Sequence, residues 1–326
     1  MIARKLVRLA LGVFATACVL VTGAVTASHY ERVGAAGTRQ ALAALRPAHA
    51  VMPTAPGSVV GVYIRGEPRS IRPLYRFEAL TGTRLQEVVY YSGWQEQFKT
   101  AFASAVYRMG AVTMVQIEPR VSLRSIVNGS QDGYLVSYAA AVREFRRPVI
   151  LCFGHEMNGD WYPWGFRHVA PAAFVAAWRH VVAIFRQQGA NNATWLWAVN
   201  VSAGAHGHVS SPALWWPGND VVTWVGLDGY FYKRDESFQS LFGATIATVR
   251  KLTNKPMLIS ETGADSQADQ AAKISGLFAG VRADGLLGLI WFDATGNRNW
   301  AIDASPAALT AFGASARRYA NDGGPP

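Results

Sequence analysis

Val149-Ile150-Leu151-Cys152-Phe153-Gly154-His155-Glu156-Met157-Asn158-Gly159 is five apolar residues, a glycine, and then a carboxylate in a polar turn. Pro256-Met257-Leu258-Ile259-Ser260-Glu261-Thr262-Gly263 repeats the pattern about a hundred residues later. Short apolar runs bounded by glycine read as buried strands with loops leaving them. Working outward, similar runs occur at 59–64, 87–91, 112–117, 194–199, 221–227 and 286–292, making eight candidate strands with the first two. Helix-like segments fill most gaps: 95–109, 132–145, 171–188, 236–252, 268–283 and 306–319. Pro171 and Gly189 bracket one of them in the positions where helices start and stop. Eight strands alternating with helices predict an α/β chain folded as a (β/α)8 TIM barrel with a single catalytic domain. No glycine-rich phosphate loop follows an early strand, which argues against a doubly wound sheet.

In that register Glu156 follows strand four and Glu261 ends strand seven, so both carboxylates reach the C-terminal mouth where such barrels do chemistry. A facing pair of carboxylates is the minimum apparatus for cleaving a glycosidic bond. A carboxyl among aromatics stays protonated and can act as an acid, whereas one held ionised by hydrogen bonds can attack an anomeric carbon. Asp228 is a further acid at a strand end, and Tyr230 is placed to bond one of the glutamates. The chain has eleven Trp. Several fall just beyond strands, as in Trp161-Tyr162-Pro163-Trp164, where flat faces suit sugar rings.

Other chemistries are poorly served. His155-Glu156 lacks the second histidine of a zinc motif, because position 159 is glycine. His206 and His208 have no evident third ligand, and there is no Gly-x-Ser-x-Gly elbow. Neither a metal nor an organic cofactor is expected. The formal net charge is +10. Its Lys and Arg are scattered along the chain, which reads as solvated surface and not as a nucleic-acid patch. Cys18 and Cys152 are the two cysteines. Cys152, in a predicted strand, reads as an inert core thiol.

Residues 1–27 combine a basic start (Arg4, Lys5, Arg8) with an uncharged run and a small-residue cleavage site at Val25-Thr26-Ala27. They read as a signal peptide or an uncleaved membrane anchor, placing the protein outside the cell or in its envelope. Residues 28–57 read as a linker and 58–326 as the catalytic domain. A monomer is expected.

The stretch His155-Glu156-Met157-Asn158-Gly159-Asp160-Trp161-Tyr162-Pro163-Trp164-Gly165 resembles the signature of glycoside hydrolase family 26, best known for endo-β-1,4-mannanases. Trp195-Leu196-Trp197, Trp216-Pro217-Gly218, Gly226-Leu227-Asp228-Gly229-Tyr230, Ser260-Glu261-Thr262-Gly263 and Leu289-Ile290-Trp291-Phe292 follow in that family's order. The resemblance implies a retaining hydrolase with Glu156 as acid/base and Glu261 as nucleophile. It also implies that His155, Asn158 and Trp161 bind sugar beside the acid/base, that Tyr230 holds the nucleophile, and that Trp291 stacks under the sugar. Cys152 stands where the family often has Arg, and Thr223 where Asp is common. The expected substrate is a β-linked polysaccharide of mannan type. Mixed-linkage β-glucan, β-1,3-xylan and an acidic exopolysaccharide remain open. So does a reading from another class, a non-catalytic carbohydrate-binding protein. Retention further implies carboxyl groups about 5–5.5 Å apart.

Overall fold

The computed structural model describes residues 51–202, 207–296 and 298–323. The leader at 1–27, most of the linker, Cys18 and His206 lie outside the described residues. Eight strands run β1 (Val59–Ile64), β2 (Glu87–Gly93), β3 (Val112–Glu118), β4 (Val149–Phe153), β5 (Ala193–Asn200), β6 (Trp224–Phe231), β7 (Met257–Ala264) and β8 (Gly288–Asp293). They pair in sequence order as a closed barrel, with β8 parallel to β1. The helices are α1 (Arg72–Thr81), α2 (Thr100–Arg108), α3 (Leu123–Val127), α4 (Asp132–Phe145), α5 (Pro171–Gln187), α6 (Ala244–Arg250), α7 (Gln270–Ala283) and α8 (Pro306–Gly323). The (β/α)8 architecture is therefore the one the alternating pattern predicts.

Strand alternation separates two apolar layers. Val59, Val89, Met114, Ile150, Leu196 and Leu258 fill the barrel interior, and Cys152 lies among them, free and fully buried. The opposite faces pack against helices that bury stripes at helical spacing, such as Phe174, Trp178, Val181 and Phe185 of α5. The short helices α1 and α3 have no counterpart among the helix-like segments of the sequence. In α1 the apolar stripe is short, because Glu78 and Thr81 share its buried face with Leu74 and Phe77. The expected helix at 236–252 is instead a π turn (Gln239–Gly243) leading into α6.

Glu87 shares the inward face of β2 with Val89. It is fully buried, and neither carboxyl oxygen has a partner among the described residues. Burial pushes it from an ordinary 4.5 up to about 8. Folding therefore favours the protonated acid, and the stability this gives is complete below the ordinary value and lost as pH rises towards about 8. Glu87→Gln should leave the thermal midpoint at about pH 4 nearly unchanged and raise it at about pH 8. Each tenfold difference in proton affinity between the folded and unfolded chain corresponds to about 1.4 kcal/mol. Equal midpoints at both pH values would show that the carboxyl finds a partner.

Candidate active site

The two glutamates reach the mouth by different local devices. Gly154 turns the chain out of β4 with φ +58°, and Glu156 itself sits in the left-handed region at φ +53°. Its N–H donates to Ala198 O at 3.0 Å, fastening the turn to β5. Glu261 does not end β7, which continues to Ala264. The pairing of β7 with β6 slips at this point, Ile259 opposing Leu227 and Glu261 opposing Asp228. Such a bulge leaves one residue extra and re-aims side chains. Here it lets two neighbours serve the interior. Ser260 Oγ donates to Asp228 Oδ1, and Glu261 accepts from two tyrosines.

Glu156 is 6% exposed. Its Oε2 accepts from Trp161 Nε1 at 2.7 Å and its Oε1 from Asn200 Nδ2. Burial, then the charge of Glu261, pushes it up to about 7, against the pull of those two donors. Glu261 accepts from Tyr230 through Oε1 and from Tyr91 through Oε2. Burial raises it too, while both phenols favour its ionised form. Asp228 is fully buried, and its Oδ2 has no partner among the described residues. Burial and then Glu261 hold it well above the usual carboxylate range. Three carboxyls in one water-poor pocket cannot all ionise, so their titrations belong to the group.

His155 is buried and bonded through Nε2 to the Tyr162 hydroxyl at 3.0 Å. Burial, then the charge of Arg120, pushes it down to about 3, so it is a neutral imidazole. Trp161 lies over Gly159, where an added Cβ would come within 2.3 Å of its ring. The loop carrying it is clasped to the next one: Asp160 accepts from His208 N at 3.0 Å and pairs with Arg167 at 3.3 Å. His208 is thus engaged with a carboxylate and an arginine, and no cluster of metal-ligating side chains occurs among the described residues.

Two expected substrate contacts are corrected. Asn158 is buried, and its amide bonds Asn200 twice: Nδ2 donates to Asn200 O at 2.8 Å, and Asn200 N donates to Oδ1 at 2.9 Å. It positions Asn200 for Glu156, and with 1% of its surface exposed it faces β5 and not the open bowl. Trp291 is fully buried on the helix side, its ring 6.3 Å from Phe312 of α8 and its Nε1 bonded to Trp300 O. The inward residues of β8 are Ile290 and Phe292. Phe292 stacks on Tyr63 at 4.6 Å and meets Tyr230, and Tyr230 meets Trp300 at 4.6 Å. The aromatic wall of the bowl is thus Tyr63, Phe292, Tyr230, Trp300 and Tyr232. Tyr91, Asn200 and Trp300 join the site without any motif that marks them in the sequence. Alternation from Val89 does place Tyr91 inward, and that is the signal by which it can be found. Thr223 accepts from Trp195 N where β5 and β6 begin, at the end of the barrel away from the mouth.

The chain matches the model of Glycosyl hydrolase family 26 over residues 105–278. It is 29% identical over 273 residues to endoglucanase H of Acetivibrio thermocellus, covering 78% of this chain and 30% of that protein. It is also 29% identical over 151 residues to the beta-1,3-xylanase TXYA of a Vibrio species, covering 46% of this chain and 30% of that one. The chain therefore spans about a third of the length of these curated relatives. Among solved structures it resembles the mannanase man26 of Bacillus subtilis, with TM-score 0.59, 16% identity, and 78% of this chain and 85% of that one covered. A family 26 beta-mannanase from Bacteroides ovatus gives TM-score 0.58 at 15% identity, covering 88% and 93%. At such identity these two are likenesses of fold.

Proposed function

The chain belongs to glycosyl hydrolase family 26, and on that premise we propose that it is a retaining hydrolase that cleaves within β-linked polysaccharides. The observation that carries the reading is the unlike setting of two carboxyls in one bowl. Glu156 is raised by burial and by its neighbour's charge, and Glu261 is held by two phenols. Protonated Glu156 gives its proton to the glycosidic oxygen as the C–O bond breaks and the bonding pair goes to that oxygen. Glu261 attacks the anomeric carbon and becomes a glycosyl ester. The ester is uncharged, so the field that kept Glu156 protonated disappears once the leaving group departs. Glu156, now a carboxylate, takes a proton from water, and the resulting attack releases Glu261. The wall from Tyr63 to Trp300 offers ring faces to the sugar.

For the substrate, a mannan-type backbone is the first reading. A β-glucan is the second, favoured by the likeness to endoglucanase H along most of this chain. Reducing-end release from mannan, glucomannan, mixed-linkage glucan, β-1,3-xylan and an acidic exopolysaccharide decides between them. No release from any of the five would favour a carbohydrate-binding protein.

Trp161 supplies one of the two hydrogen bonds that favour ionised Glu156. Trp161→Phe should therefore move the alkaline limb of the pH–activity profile upward from about 7, by up to about one pH unit. An unmoved limb would mean the indole bond does not act on the proton donor.

A further inference from the structure

The cations that look scattered in the sequence are gathered by the fold. In a (β/α)8 barrel each crossover helix runs back antiparallel to the strands, so its C-terminus arrives at the end opposite the mouth. Six helices carry arginine in the last turn: Arg124 of the short α3, in the loop that leaves β3 at the mouth, and, at the opposite end, Arg108 of α2, Arg143 of α4, Arg186 of α5, Arg250 of α6 and Arg282 of α7. Compensation of the helix dipole accounts for a cation at each such end. Arg146 and Lys251, the C-caps of α4 and α6, add a second cation to two of these ends, and Arg147 follows over the Tyr107 ring at 4.9 Å; all three are exposed. The acids at this end are Glu78 and Glu87, both buried, and Glu144, Asp220 and Asp284, of which Glu144 pairs with Arg143 at 3.5 Å and Asp220 with Arg179 at 2.7 Å. At the mouth Glu118, Asp160 and Asp265 are paired with Arg120, Arg167 and Arg298, so cations and acids are mixed there, and it is the scarcity of exposed acids at the opposite end that distinguishes the two.

We propose that this basic end is a docking face for an anionic phospholipid bilayer, holding the bowl pointed away from the lipid. A ring of cations around the barrel axis matches a flat surface. A bound polymer strand would instead call for a groove with stacking rings, and the aromatic wall is at the other end. The described chain also enters the barrel here, with Gly57 N donating to Leu286 O just before β1. This inference is independent of the hydrolase reading.

The test is co-sedimentation of the full chain with vesicles of phosphatidylcholine alone and of phosphatidylcholine mixed with phosphatidylglycerol. Wild type is compared with a combined Arg108→Gln, Arg147→Gln, Lys251→Gln variant, none of which touches the bowl. The N-terminal segment is common to both proteins, so the difference isolates the face. The wild type should prefer the anionic vesicles, and the variant should lose on the order of a hundredfold in partitioning. High salt should abolish the preference in the wild type, a readout that needs no variant. Thermal unfolding checks that the variant is folded. Equal binding to both vesicle types, or an undiminished preference in the variant, overturns the proposal. So does retention by soluble polygalacturonate without vesicle preference, which would assign the face to an acidic polymer.

Discussion

Glu261→Ala abolishes turnover, with a loss of at least roughly ten-thousandfold in kcat, while the protein stays folded. The chemical half of this expectation follows from the carboxylate's place in the bowl. Asp228 is no substitute for it, being committed to Ser260 and held well above the usual carboxylate range. The stability half follows from sign. Burial raises Glu261 above its ordinary value, so the folded state disfavours the ionised form that the unfolded chain carries at neutral pH. Removing the carboxyl removes that cost and also relieves Glu156 and Asp228 of its charge. The variant should therefore melt no lower than wild type at pH 7, which separates lost chemistry from lost folding. Azide, small enough for the vacated space, should restore turnover with inverted stereochemistry at the anomeric carbon. Retained activity in Glu261→Ala would remove the nucleophile assignment outright.

Glu156→Gln gives the second large effect, and its signature is dependence on the leaving group. The amide preserves shape but carries no transferable proton. Polysaccharide hydrolysis should fall by about a hundredfold to ten-thousandfold. An aryl glycoside whose phenolate leaves unaided should still form the glycosyl ester, and an ester that accumulates would show as a burst of phenolate. The pH profile carries an independent check. Wild-type activity should fall as pH rises through about 7, where Glu156 gives up its proton. In the variant that alkaline limb should vanish. A profile unchanged by the substitution would assign the limb to another member of the carboxyl cluster.

Much of this is legible in the sequence, for physical reasons that differ from residue to residue. The eight apolar runs are separable because both faces of parallel strands are buried, so each run is nearly continuous between glycines. Glu156 and Glu261 stand out because a carboxylate that ends such a run cannot be ordinary surface. Trp291 misleads because its placement came from the resemblance and not from the strand: along β8 Leu289 and Trp291 pack on the helix side, while Ile290 and Phe292 face inward. The ring that does reach Tyr230 is Trp300, in the loop beyond, where no periodicity marks it. Asn158 misleads because its amide satisfies backbone of β5, a pairing between distant segments that leaves no trace in spacing. The basic end is hidden for the same reason, since its cations come from five separate helix ends and meet only when the barrel closes.

The left-handed backbone at Glu156 sets turnover against robustness. A side chain with a Cβ held at φ +53° costs on the order of one kcal/mol relative to glycine, and burial beside another carboxyl adds to that cost. Glycine or asparagine at 156 would lift both penalties at once. A barrel carrying either residue at 156 should therefore be the sturdier one, gained at the expense of the carboxyl that the proposed turnover needs.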